Sequence, residues 1–226
     1  MPPDKPALPH RPRPILWLFD LDDTLHRATP HIFDRMNRAM TEYVMRHLDM
    51  EEGAANDLRR EYWQAYGATL LGLMRRHGVD PDHFLVETHQ FPDLDRLLDF
   101  DRPLKRLLKV LPGRKVLVSN APRHYVDAVL DRMGVHAHLH AIETIESMRY
   151  VPKPARSSLA RILERQRARG HHVVMVEDNL DNLKTARRLG LTTVWISRAP
   201  GRPAFVDVKL QSVLQLSKHS RLTRRR

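Results

Sequence analysis

Cysteine is absent from all 226 residues. That excludes disulfides, thiolate metal sites and a cysteine nucleophile. There is no run of about 18 apolar residues, so the sequence offers no membrane span. The N-terminus also lacks the apolar core of a secretory signal, and a cytoplasmic protein is expected. No internal repeat is visible. Net charge is small in the body of the chain despite a formal total of +11. Residues 1–14 hold +2 and residues 209–226 hold +6, which leaves +3 for residues 15–208. Basicity confined to the ends suits solvated tails and weak, salt-dependent contact with nucleic acid.

What is present is ordinary for a globular protein, with 42% hydrophobic residues, three Trp and six Phe. The length suits one full-sized domain with an insertion, or two small domains. Six prolines in residues 2–14 predict an extended leader without a core of its own. Ile15-Leu16-Trp17-Leu18-Phe19 then runs straight into Asp20-Leu21-Asp22-Asp23-Thr24. An unbroken apolar run ended by polar residues reads as a strand buried on both faces.

Residues 29–90 contain no convincing strand and read as an all-helical insertion. Thr29 is a plausible cap with Pro30 at the first helical position. Phe33, Met36, Met40, Tyr43, Val44 and His47 follow at helical spacing. Asn56 or Asp57 can cap a second helix, whose face runs from Leu58 through Tyr62, Tyr66 and Leu73 to His77-Gly78. A shorter helix is expected over residues 82–89. From residue 103 helices and strands alternate, with strands at 115–118, near 139–144, at 173–176 and at 192–196. Such alternation predicts an α/β fold, a three-layer Rossmann-like parallel sheet covered by helices. The expected organisation is a leader (1–14), a core (15–28 and 91–208), a helical cap (29–90) and a basic tail (209–226).

Asp20 and Asp22 lie two apart on an extended chain, so their side chains leave one face. Like charges held that close call for a bound cation or a raised pKa. Magnesium suits such a place, because it takes one or two carboxylates together with phosphate oxygens. In parallel sheets ligands sit beyond the carboxyl ends of the strands, where Asp20, Ser119 and Asp178 all fall.

Asp20-Leu21-Asp22-Asp23-Thr24 resembles the first motif of the haloacid dehalogenase superfamily. Val116-Leu117-Val118-Ser119-Asn120 resembles its second, Pro152-Lys153-Pro154 its third, and Met175-Val176-Glu177-Asp178 with Asn182 its fourth. The resemblance covers residues 15–198 and implies a phosphatase. Asp20 would be the nucleophile and Asp22 the general acid–base. Asp20, the Asp22 backbone carbonyl and Asp178 would hold Mg2+, with Glu177 behind them. Ser119, the Asn120 backbone and Lys153 would bind the phosphoryl group, and Asn182 would support the site or lie on a helix surface. Dehalogenase-type relatives have a single aspartate in the first motif, so Asp22 favours a phosphatase. Residues 29–90 correspond to the family's helical cap.

Within that cap Tyr66-Gly67-Ala68-Thr69-Leu70-Leu71-Gly72-Leu73 resembles the pyrimidine 5′-nucleotidase branch, implying a nucleoside monophosphate substrate. The alternatives are another small phosphate ester, or a nucleic-acid-associated protein that uses the basic tail. His26 is expected to be a loop residue. His136, His138 and His140 alternate like a strand face and are expected to lack acidic neighbours.

Overall fold

The computed structural model describes residues 15–219 and Leu222; the proline-rich leader and the terminal arginines lie outside the described residues. A six-stranded sheet occupies the centre, in the order β3-β2-β1-β4-β5-β6, with every neighbouring pair parallel. The strands are β1 (Leu16–Phe19), β2 (Arg114–Val118), β3 (Ala141–Glu143), β4 (Val173–Glu177), β5 (Thr192–Ile196) and β6 (Val208–Leu210). Every residue of β1 is buried. Alternation distributes its side chains between two cores. Trp17 and Phe19 join one with Leu117, Val174 and Val176; Leu16 and Leu18 join the other with Val116, Val118 and Met175. Each large apolar side chain so buried contributes roughly 1.5–3 kcal/mol relative to exposure. The one polar atom of Trp17 is satisfied, its Nε1 donating to the Pro112 carbonyl at 2.8 Å.

Between β1 and β2 the chain is helical. A π-helical turn at Thr29–Phe33 leads into α1 (Asp34–Leu48), followed by α2 (Glu52–Tyr66), α3 (Thr69–His77), α4 (Pro81–Thr88), α5 (Leu94–Leu97) and α6 (Leu104–Val110). The remaining helices are α7 (Arg123–Met133), α8 (Arg156–Arg165) and α9 (Leu180–Arg188).

Several local expectations are corrected. Thr29 does not cap the first helix. Asp23 does that work, its carboxylate accepting from the Ala28 and Thr29 amides at 2.9 Å each, which couples the loop after β1 to the helical insertion. The second helix starts at Glu52 rather than at Asn56 or Asp57. It also stops at Tyr66, because Gly67 turns left-handed at φ 80°. The segments α2 and α3 fold back on each other, and Gly72 makes that possible. A Cβ there would lie 2.2 Å from Cγ of Tyr62, whose hydroxyl meets His77 Nε2 at 2.8 Å. Gly72→Ala is therefore expected to cost about 1–3 kcal/mol by overpacking, despite alanine's better helix propensity. Denaturant titration measures it, and an unchanged midpoint would contradict the close approach.

The tail expected from residue 209 is corrected as well. Lys209 and Leu210 belong to β6, and a 3-10 helix at Val213–Lys218 buries Val213 and Leu216. Lys209 itself lies over the Trp195 ring, 4.8 Å from its centroid. An apolar strand and turn prevailed over the basic composition at residues 209–218. His136–His138 form a 3-10 turn rather than a strand face, and His136 lies 3.4 Å from both Asp127 and Asp131. No helix among the described residues is long and apolar enough to cross a membrane.

Candidate active site

The carboxyl ends of β1, β2 and β4 meet at one edge of the sheet. Asp20 follows β1, and its amide donates to the Val176 carbonyl at 3.0 Å, extending the ladder to β4 by one step. Ser119 follows β2, its amide bound to the Glu143 carbonyl at 2.9 Å. Glu177 closes β4 and Asp178 follows it. Lys153 arrives from the loop before α8. It is held there by Asn120, whose side chain donates to the Lys153 carbonyl at 3.0 Å and accepts from its amide at 2.8 Å. Two chain segments 33 residues apart are thus latched face to face.

The Lys153 ammonium is almost fully buried and donates to Asp20 Oδ1 at 2.6 Å and to Glu177 Oε2 at 2.8 Å. Burial alone would lower its pKa, but the two carboxylates outweigh that and raise it. Carboxylate oxygens of Asp20, Glu177 and Asp178 lie within 4.8 Å of one another. Three acids against one ammonium leave excess negative charge. Burial and the Glu177 charge push Asp20 up to about 7, against the pull of Lys153. Burial likewise pushes Glu177 up to about 7, and burial with the Asp20 charge pushes Asp178 up to about 6.

Asp22 is treated differently by its surroundings. Its Oδ1 accepts from the Tyr125 hydroxyl at 2.7 Å and lies 2.9 Å from His26 Nε2. Burial raises its pKa, yet the His26 and Tyr125 contacts prevail and hold it below the usual carboxylate range. His26 is therefore no ordinary loop residue; it is 2% exposed and bound to Asp22. Tyr125, on α7, was not foreseen, because nothing in an apolar helix face distinguishes a tyrosine that packs from one that also donates. Asn182 is buried rather than on a helix surface. The Ser119 hydroxyl accepts from the Ala121 amide at 3.0 Å.

The hard oxygen donors of Asp20, Asp178 and Glu177 fit a divalent cation of the magnesium kind, which would relieve their mutual repulsion. Glu177 is the most committed of the three, with Oε2 on Lys153 and Oε1 accepting from the Asn179 amide at 3.3 Å. The Asp22 side chain is outside this cluster, which leaves its backbone carbonyl for any role toward a metal.

Over the acids lies a pocket with mixed walls. The sheet edge supplies Asp20, Asp22, Ser119, Asn120, Lys153 and Asp178; the helical insertion supplies Asn37, Met40, Arg59, Trp63 and His89. Arg59 donates to Asn37 and Asn56 at 2.9 Å each, and its buried Nε has no partner among the described residues. Burial, with the nearby His124, lowers the His89 pKa to about 4 and keeps its ring neutral.

Known proteins share this fold. Phosphate metabolism protein 8 of Saccharomyces cerevisiae is 27% identical over 118 residues, which span 50% of this chain and 36% of that protein. The crystal structure of a HAD phosphatase from Thermococcus onnurineus superposes with a TM-score of 0.66 at 18% identity, covering 94% of this chain and all of that one. The HAD-hydrolase YfnB of Bacillus subtilis, solved bound to magnesium, has a TM-score of 0.61 at 17% identity and covers 91% of this chain and 98% of its own. Dehalogenases share the fold too, at a TM-score of 0.57. The haloacid dehalogenase-like hydrolase profile matches residues 16–190, from the first strand to the end of the α9 turn, and the chain belongs to that family of hydrolases.

Proposed function

We propose that the protein is a magnesium-dependent phosphomonoesterase, with a pyrimidine nucleoside 5′-monophosphate as its substrate. The observation that carries the phosphatase reading is the pair of unlike carboxylates in one pocket. Asp20 faces an ammonium and two other acids, whereas Asp22 sits against the Tyr125 hydroxyl and the His26 ring. Displacement at phosphorus followed by hydrolysis needs both a nucleophile and a separate proton carrier.

An Asp20 oxygen attacks phosphorus, forming an acyl phosphate as the ester P–O bond breaks, and Asp22 gives its proton to the departing alkoxide. Asp22 then takes a proton from water, whose oxygen attacks the same phosphorus and releases inorganic phosphate and free Asp20. In the free enzyme Asp22 is a carboxylate; a phosphate dianion brought beside it raises its proton affinity and loads the acid role. Ser119, the Asn120 amide and Lys153 hold the phosphoryl oxygens, so that the charge of the transition state is met by fixed donors. Bound magnesium would neutralise phosphoryl charge and hold the ester beside Asp20.

The nucleotide reading rests on the cap. Its Tyr66–Leu73 segment carries the nucleotidase-like pattern, and α1, α2 and α3 hang Met40, Arg59, Trp63 and Leu70 over the site. These supply apolar contact and a cationic hydrogen-bond donor for a base and ribose. Similarity to a protein named for phosphate metabolism supports the same chemistry. A phosphate-release panel of nucleoside 5′-monophosphates and sugar phosphates tests both levels, run with magnesium and with a chelator. We expect UMP and CMP to lead, and chelation to reduce release at least about 100-fold, reversed by added magnesium. Preference for a sugar phosphate would overturn the nucleotide reading alone. Halide release from 2-chloropropionate without any phosphate release would overturn the phosphatase reading.

A further inference from the structure

A second group of ligand-type side chains lies apart from the active-site pocket. His47 is in the last turn of α1, and His83 and Glu87 stand one turn apart on α4. One donor atom from each lies within 4.8 Å of the others. None of the three lines the active-site pocket, although Phe84 and Leu85 of the same α4 do.

The surroundings orient these side chains. The Tyr43 backbone carbonyl, 2.9 Å from His47 Nδ1, can only accept, so that nitrogen carries the proton and Nε2 keeps its lone pair. The Tyr43 ring stacks on His47 with centroids 3.8 Å apart and fixes the imidazole plane. The Tyr43 hydroxyl lies 3.1 Å from His83 Nδ1, and His83 Nε2 lies 2.9 Å from Glu87 Oε1; a metal between them would replace the proton they share, releasing it to solvent. The other Glu87 oxygen is held by Arg46 at 2.5 Å. Each ligand thus has its remaining polar atom bound by a neighbour, the arrangement that positions histidine and carboxylate on a metal.

We propose that His47, His83 and Glu87 form a binding site for a first-row transition dication such as Zn2+, joining α1 to α4 on the face of the cap away from the catalytic acids. Two imidazoles and one carboxylate are a nitrogen-rich set that suits zinc rather than magnesium. Tetrahedral coordination places ligand atoms roughly 3.3–3.5 Å apart, which small side-chain rotations provide here. The metal would fix α4, whose opposite side walls the substrate pocket. This assignment stands whether or not the enzyme is a phosphatase.

The test is a Zn2+ titration of the full chain in excess Mg2+, which occupies the acidic site, followed by histidine-ring nitrogen NMR. One equivalent should move the Nε2 signals of His47 and His83 before those of other histidines. His47→Gln and Glu87→Gln should each weaken binding at least tenfold, while His136→Gln leaves it unchanged. These ligands are exposed or half-buried, and the metal-free thermal midpoint checks that each variant folds. Shifts confined to other histidines, or equal affinity in all variants, would overturn the site; the NMR of the unaltered chain decides the matter even if a variant misfolds.

Discussion

Asp20→Asn is expected to remove turnover, lowering kcat about 10^4-fold or more, with the fold intact. The amide is nearly isosteric with the carboxylate and keeps an oxygen for Lys153, 2.6 Å away in the native site. What it lacks is the anionic nucleophile. The same change removes one of three crowded acids, whose repulsion and burial push Asp20 up to about 7. The thermal midpoint should therefore hold or rise while activity vanishes. Opposite movements of stability and turnover mark a residue kept for chemistry. Mass spectrometry of acid-quenched enzyme should find a phosphoryl adduct on the native chain and none on the variant. Turnover within tenfold of native would remove Asp20 as the nucleophile.

Lys153→Met should damage both properties. The ammonium is the only cation bonded to the Asp20 and Glu177 carboxylates among the described residues, and all three side chains are nearly inaccessible. Removing one partner of a buried pair leaves uncompensated charge and costs about 3–5 kcal/mol. For a domain of this size that is a fall in thermal midpoint of roughly 10 °C. Adding Glu177→Leu takes away one of the stranded acids and should recover part of the midpoint. Activity should stay at least about 100-fold down in the double variant, because the phosphoryl group still lacks its cation. If the double variant regained activity along with stability, Lys153 would be a structural residue only.

The parallel sheet was legible because its signals are local. Ile15–Phe19, Val116–Val118 and Val173–Val176 are apolar runs closed by polar residues, and helical spacing separates them. The polar residues that end those runs fall at the strand ends, so Asp20, Ser119 and Asp178 could be named from order along the chain. Other features were harder to see. Helix borders in the cap moved because Asp23, outside the helix, supplies its cap, and because Gly67 turns left-handed between two helices that share one apolar pattern. The charge of Lys209 points to a tail, although Val208 and Leu210 beside it carry the burial of an edge strand.

The sequence by itself determined the order of strands and helices and the chemical type of each strand-end group, since both follow from periodicity and residue identity within a few positions. Only the tertiary structure decided that Tyr125 and His26 share Asp22, that Asn120 latches Lys153, and that Lys153 divides itself between Asp20 and Glu177. Most of these contacts join residues 24 to 133 positions apart, and only the His26–Asp22 pair is local. A hydrogen bond depends on angstrom-scale separation in space, which crossover connections set and residue spacing along the chain does not encode. The protonation preferences of the acids follow from those separations, and so do the unlike surroundings of Asp20 and Asp22.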